Sequence, residues 1–244
     1  MRVHPLQKTI IYGPVGSNRL GRSLGIHLMP TTYKLCPFDC VYCVYGWTDV
    51  RTTGVSDRMQ DLPTPEQVGQ ELERALQSIG EIAYITFSGS GECTVHPDFG
   101  EIVDIVLEVR NRLKPKVPLA ILSNSSMAKR EEVRAGIGKL DRRIMKLDCG
   151  SERAFQLVNQ PAPEVDYEEM IAGLEAMEGI EIQTMFVEND VLNSSVSEID
   201  AWVERLRRIR PAGVQLCTIH HPPAEQAVRG LSEERLEEIA QRVR

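Results

Sequence analysis

Apolar residues along the chain switch repeatedly between two spacings. Short strand-type runs fall at residues 24–29, 82–87, 117–122, 143–147, 180–187 and 214–219. Between them the spacing turns helical. A Pro63-Thr64-Pro65-Glu66 start signal opens a helix with Val68, Leu72, Ala75, Leu76 and Ile79 on one side. Residues 97–113 repeat the pattern through Ile102, Ile105, Val106 and Val109, and further helices are predicted over 129–137, 164–177 and 197–209. A last amphipathic helix covers 232–243, with Ser232 as its cap and Glu233 and Glu234 in its first turn.

Six strands separated by helices imply right-handed parallel crossovers, hence an α/β fold. The sheet is either open and doubly wound or barrel-like, and both place chemistry at the C-terminal ends of the strands. The segment before residue 24 reads as turns, through Tyr12-Gly13-Pro14 and Gly16-Ser17-Asn18. No repeat or linker divides the 244 residues, so a single domain is expected, its core at about 12–223 and its closing helix at 231–243.

A hydrophobic fraction of 42% suits a folded globular chain, and a formal net charge of −7 argues against broad attachment to nucleic acid or anionic membrane. Met1 to Leu6 shows no apolar stretch with a cleavage-like site, and no run approaches the roughly 20 apolar residues of a membrane span. A cytoplasmic protein without a membrane partner is therefore expected. Six cysteines, three of them between positions 36 and 43, are too clustered for a disulfide framework.

The unusual residues sit at predicted strand ends. The cysteines follow the first strand, Ser88-Gly-Ser-Gly-Glu92 the second, Ser123-Asn124 the third and Asp148 the fourth. Cys36, Cys40 and Cys43 place three thiolates within eight residues, enough to wrap one metal centre. A structural zinc normally takes four protein ligands, whereas a four-iron cluster on three cysteines keeps one iron open for an external ligand. By spacing alone, zinc completed by His27 or Cys93, or three unrelated buried cysteines, stay alternatives. Cys93, Cys149 and Cys217 read as buried apolar thiols.

The C-x3-C-x2-C spacing, with Tyr42 before the last cysteine, resembles the radical SAM superfamily. The resemblance implies a partial (β/α)6 barrel, a [4Fe–4S] cluster on Cys36, Cys40 and Cys43, and S-adenosylmethionine chelated at the open iron. It implies Tyr42 beside the adenine, and the backbone of Ser90-Gly91-Glu92 at the methionyl amine in place of a Gly-Gly-Glu element. Ser123, Asn124, Lys146 and Asp148 fall where polar contacts to the methionyl group and ribose are expected, as does Gln183. Gly91 would let backbone approach the ligand without a Cβ obstacle. The implied activity is reductive cleavage of S-adenosylmethionine to a 5′-deoxyadenosyl radical that abstracts hydrogen, with electrons from a reductant such as flavodoxin or ferredoxin.

Residues 12–25, Lys146-Leu-Asp-Cys-Gly150, Val158-Asn-Gln-Pro161 and Thr218-Ile-His-His-Pro-Pro223 narrow the resemblance to small Fe–S oxidoreductases related to the wybutosine-pathway enzymes. Those enzymes carry extra N-terminal cysteines, and none precedes Cys36 here. The substrate stays open among a small molecule, an RNA base and a polypeptide. An activating enzyme for a glycyl-radical partner and a non-catalytic electron-transfer module are the alternative functions.

Three further expectations concern charged residues. Arg19 and Arg22 either bind an anionic substrate or are solvated, whereas the arginines at 205, 207, 208 and 210 read as an outer helix face and its end. His220, and equally His221, either contacts adenine, moves a proton or makes a structural hydrogen bond. Lys146 and Asp148 alternate along a strand and so share its interior side, with Asp148 on the ribose or methionyl ammonium and Lys146 on the carboxylate or paired with Glu92.

Overall fold

The computed structural model describes residues 4–17, 19–55, 57–188 and 193–243. Met1 and Asn18 lie outside the described residues. In chain order the strands are β1 (Ile11–Ser17), β2 (Gly21–Ile26), β3 (Leu35–Cys36), β4 (Val50–Arg51), β5 (Tyr84–Phe87), β6 (Leu119–Ser123), β7 (Arg142–Lys146), β8 (Glu181–Met185), β9 (Val187–Glu188), β10 (Gly213–Cys217) and β11 (Arg229–Gly230). The helices are α1 (Pro65–Ser78), α2 (Phe99–Leu113), α3 (Glu131–Gly138), α4 (Glu152–Val158), α5 (Tyr167–Glu175), α6 (Val196–Ile209) and α7 (Glu233–Val243).

Seven strands make one sheet in the order β1-β2-β5-β6-β7-β8-β10. From β2 onward every pairing is parallel. A doubly wound sheet reverses its strand order at a switch point, whereas this order never reverses, which is how a barrel is wound. The edge strands β1 and β10 do not pair with each other, so the barrel is partial.

Local chemistry explains the elements. α1 starts where Thr64 accepts from the Gln67 N–H, Gln67 reaches back to Thr64 and Pro65 takes the first turn. Its Val68, Leu72 and Leu76 are buried. One sheet face, with Ile85, Phe87, Leu119, Ile121, Met145 and Ile182, joins the main core. Tyr84, Ala120, Leu122 and Ile144 belong to the other face, where Leu20 from the β1–β2 turn packs against them. Strand alternation then carries that inner face upward to Leu122, Ile144, Lys146 and Gln183, which line a cavity at the C-terminal strand ends.

Besides the two-residue strands β3, β4 and β11, two longer elements depart from the expected order. The opening read as turns contains β1, antiparallel to β2. It is a mostly exposed edge strand, so no apolar alternation betrayed it. β2 itself runs over Gly21–Ile26, earlier than the predicted 24–29, because residues from His27 onward leave the sheet. The second departure is α4, capped by Ser151 on the Ala154 N–H. At seven residues it is too short to show a helical period. Among the described residues no helix is long and apolar enough to cross a membrane.

Burial lowers the His27 imidazole from its usual 6.5 to about 4, although a hydrogen bond to the Pro30 backbone acts in the opposite direction. The folded protein therefore resists a proton that the unfolded chain takes up between those values, and stability falls as pH drops through that window. Acidification from pH 7 to 5 should cost about 2 kcal/mol through this group alone. Denaturation curves should show a shallower loss for His27→Gln, and equal slopes would refute the assignment.

Candidate active site

The cysteine loop is tied down on both flanks. Leu35 bridges to Gly91 on one side. On the other, the Asp39 and Val41 N–H groups donate to the carbonyls of Asn159 (2.9 Å) and Val158 (3.0 Å), and Ala162 N–H donates to Pro37 O (2.7 Å). Thr48 N–H donates to the Asp39 carboxylate at 2.6 Å and closes the loop on itself. Cys36, Cys40 and Cys43 then surround a cavity of about 170 Å³ whose wall also carries Gly91, Glu92 and Asn124.

The make-up of that wall bears on the choice between zinc and a cluster. Its lining holds no histidine and no fourth cysteine. His27 lines a different cavity, and Cys93 is buried with its sulfur 3.8 Å from Glu92 Oε1. Among the described residues no three groups of metal-ligand type are arranged to hold one metal ion. The carboxylate on this wall, Glu92, already accepts from Thr94, Ser123 and Asn124, so three thiols line the cavity beside a carboxylate whose oxygens are engaged, a donor set that suits a group with an open coordination position. Burial pushes the Cys36 thiol up and Cys40 up to about 11, so a bound cation is what would hold them as thiolates.

Glu92 organises the cavity wall and is itself almost completely buried. Its Oε1 accepts from Thr94 N–H (3.1 Å), Thr94 Oγ1 (2.7 Å) and Ser123 Oγ (3.0 Å), and its Oε2 from Asn124 N–H (2.6 Å). Burial raises this carboxyl, and the four donors oppose that shift. Asp148, with a side chain 1% exposed, is the second hub. It accepts from Lys146 Nζ (2.8 Å), Met185 N–H (2.8 Å), Asn159 Nδ2 (2.7 Å) and the Tyr42 hydroxyl. The Lys146 ammonium also lies 4.9 Å from the Tyr42 ring centroid.

A second cavity, of about 500 Å³, adjoins the first, and Tyr42 and Gln183 line both. Gln183 donates to Gln215 Oε1 at 3.2 Å. Arg19, Met185, Cys217, His220 and His221 lie on the wall of the larger cavity, which includes no carboxylate. His220 is exposed, and the His221 ring meets His4 edge-on at 5.3 Å.

The family model for the radical SAM superfamily matches residues 31–188, the stretch from just before the cysteine loop to β9. The chain belongs to the radical SAM superfamily. It is 30% identical over 231 residues to the "GTPase Obg" of Brachyspira hyodysenteriae, covering 93% of this chain and 32% of that protein. It is 29% identical to a UPF0026 protein of Methanocaldococcus jannaschii, with 91% and 67% covered. Among solved structures it resembles TYW1 with a lysine–pyruvate adduct bound, at a TM-score of 0.63 and 16% identity, with 91% and 72% covered. A radical SAM enzyme depends on an iron–sulfur cluster and S-adenosylmethionine, and the three-cysteine cavity suits both.

Within this radical SAM site several expectations need correction. The Ser90 hydroxyl is turned from the cavity, accepting from Gln7 N–H at 3.2 Å beside the His27 ring. Gly91 has φ +135°, and a Cβ there would stand 2.3 Å from Leu35 O, so the absence of a side chain also serves the fit of the cysteine loop against its neighbour. Lys146 pairs with Asp148 and not with Glu92. Cys217 is half-buried on a cavity wall, 3.7 Å from Arg19 Nη1, because β10 is an edge strand. Arg22 donates to the Glu81 carbonyl on the surface and lines neither cavity.

Two participants escaped sequence reasoning. Asn159 was quoted only as part of a motif, yet its amide reaches Cys40, Tyr42 and Asp148. Lys34 is 2% exposed, and a lysine two residues before a cysteine carries no signal of such burial.

Proposed function

We propose that Cys36, Cys40 and Cys43 hold a [4Fe–4S] cluster and that the chain is a radical SAM enzyme acting on a substrate in the larger cavity. When bound, the cluster and S-adenosylmethionine supply a 5′-deoxyadenosyl radical for hydrogen abstraction. The observation that carries this reading is three thiols around a cavity whose wall adds no histidine and no further cysteine, opening at Tyr42 and Gln183 onto a second space.

The protein's own residues bind, orient and exclude water. Asp148 has its acceptor positions filled, so it orients Tyr42 and Lys146 instead of serving as the first contact for a ribose or ammonium. Lys146 keeps donor capacity toward the cavity for a carboxylate, and Asn124, Gln183 and His220 offer polar contacts to the amino-acid and nucleoside ends. The larger cavity has the volume of a small molecule or one extruded base or side chain. An electron is supplied by a reductant such as flavodoxin or ferredoxin.

Anaerobic reconstitution with iron and sulfide, followed by dithionite and S-adenosylmethionine, should release 5′-deoxyadenosine. Cys40→Ala should release none above background. Equal release from that variant would overturn the assignment.

A further inference from the structure

Each of the three cysteine sulfurs receives one side-chain N–H from a different part of the chain. Lys34 Nζ donates to Cys43 Sγ at 3.2 Å, Asn124 Nδ2 to Cys36 Sγ at 3.4 Å and Asn159 Nδ2 to Cys40 Sγ at 3.4 Å. Every donor is also fixed from behind. Lys34 donates its backbone N–H to Asp49 (2.7 Å) and its ammonium to Gly46 O (2.7 Å). Asn124 accepts from Ser126 N–H at 2.9 Å, while its own N–H is bound to Glu92. Asn159 holds Asp148 at 2.7 Å from the end of α4.

A buried ammonium is costly unless negative charge lies beside it. Here the buried Lys34 ammonium sits 3.2 Å from Cys43 Sγ and 2.7 Å from the Gly46 carbonyl oxygen. Adding an electron to a site bounded by thiolates makes it more negative, so N–H donors on the sulfurs and a nearby cation favour the reduced form. Outer partners of this kind tune a metal centre without touching the metal.

We propose that Lys34, Asn124 and Asn159 are positioning residues that raise the reduction potential of the cluster held by Cys36, Cys40 and Cys43, with one donor on each sulfur and the largest effect from Lys34. The inference rests on the cluster assignment above. Its consequence is that reduction becomes accessible to milder electron donors than the bare three-thiolate site would accept.

The test is a redox titration of the reconstituted full-length chain, followed by the EPR signal of the reduced cluster without S-adenosylmethionine. Lys34→Met removes the cation at similar length. Asn124→Asp keeps the acceptor for Ser126 N–H and removes the donor to Cys36. Each should make reduction at least tenfold harder, about 59 mV more negative for a one-electron couple, at wild-type iron content. An unmoved potential in both iron-replete variants overturns this inference and leaves the cluster assignment standing. A wild-type chain that takes up no cluster overturns the assignment itself. If circular dichroism shows that both variants fail to fold, the side chains belong to the scaffold and the proposal is overturned.

Discussion

Asp148→Ala should destabilise the folded protein by roughly 3–5 kcal/mol, the usual penalty for removing one partner of a buried ion pair. Its carboxylate is the common acceptor for Lys146, Asn159, Tyr42 and the Met185 N–H. Loss of the carboxylate strands a mostly buried ammonium and an amide together. Asp148→Asn should cost less, because an amide oxygen still accepts, but its NH2 faces donors. Denaturant midpoints should therefore rank wild type above Asn above Ala. S-adenosylmethionine affinity should fall in Asp148→Asn while cluster absorbance persists, since Tyr42 and Lys146 lose their orientation. Unchanged midpoints in both variants would show that the network does not carry the site.

Gly91→Ala should be nearly as damaging, for a steric reason. The added methyl would meet the Leu35 carbonyl oxygen at 2.3 Å and Met29 Cγ at 2.9 Å, at a φ of +135° that side chains rarely adopt. Backbone strain of this kind costs about 1–3 kcal/mol, and relief of the overlap adds to it. The bond that must give is the Leu35–Gly91 bridge, which sets the position of Cys36. Iron bound per chain after reconstitution should drop well below wild type. Wild-type iron content with an unchanged melting temperature would refute this account.

Local order was legible in the residues where periodicity was strong. The alternation of apolar runs predicted six parallel strands and the helices between them, because a buried strand and an amphipathic helix each carry their own spacing. The cysteine triplet was equally legible, since three thiols within eight positions are close enough along the chain to line one cavity, as they do. β1 and α4 were not, one being an exposed edge and the other only two turns long.

Side-chain partners were decided by the tertiary structure alone. Spacing put Lys146 and Asp148 on one side of a strand, but only the approach of β8, the cysteine loop and the end of α4 made Asp148 a hub with its acceptors filled. Ser90-Gly91-Glu92 read as one ligand-binding segment, and the fold gave its residues three separate tasks. Ser90 faces Gln7 and His27, Gly91 accommodates Leu35, and Glu92 ties β5 to β6 through Ser123 and Asn124. Asn159 could not be singled out, because its contact with Cys40 joins positions 119 residues apart, and Lys34, though the partners of its amide and ammonium lie within 15 residues, carries no sequence sign of burial. A motif determines which atoms can hold a cluster; which donors face its sulfurs depends on long-range packing that no local pattern encodes.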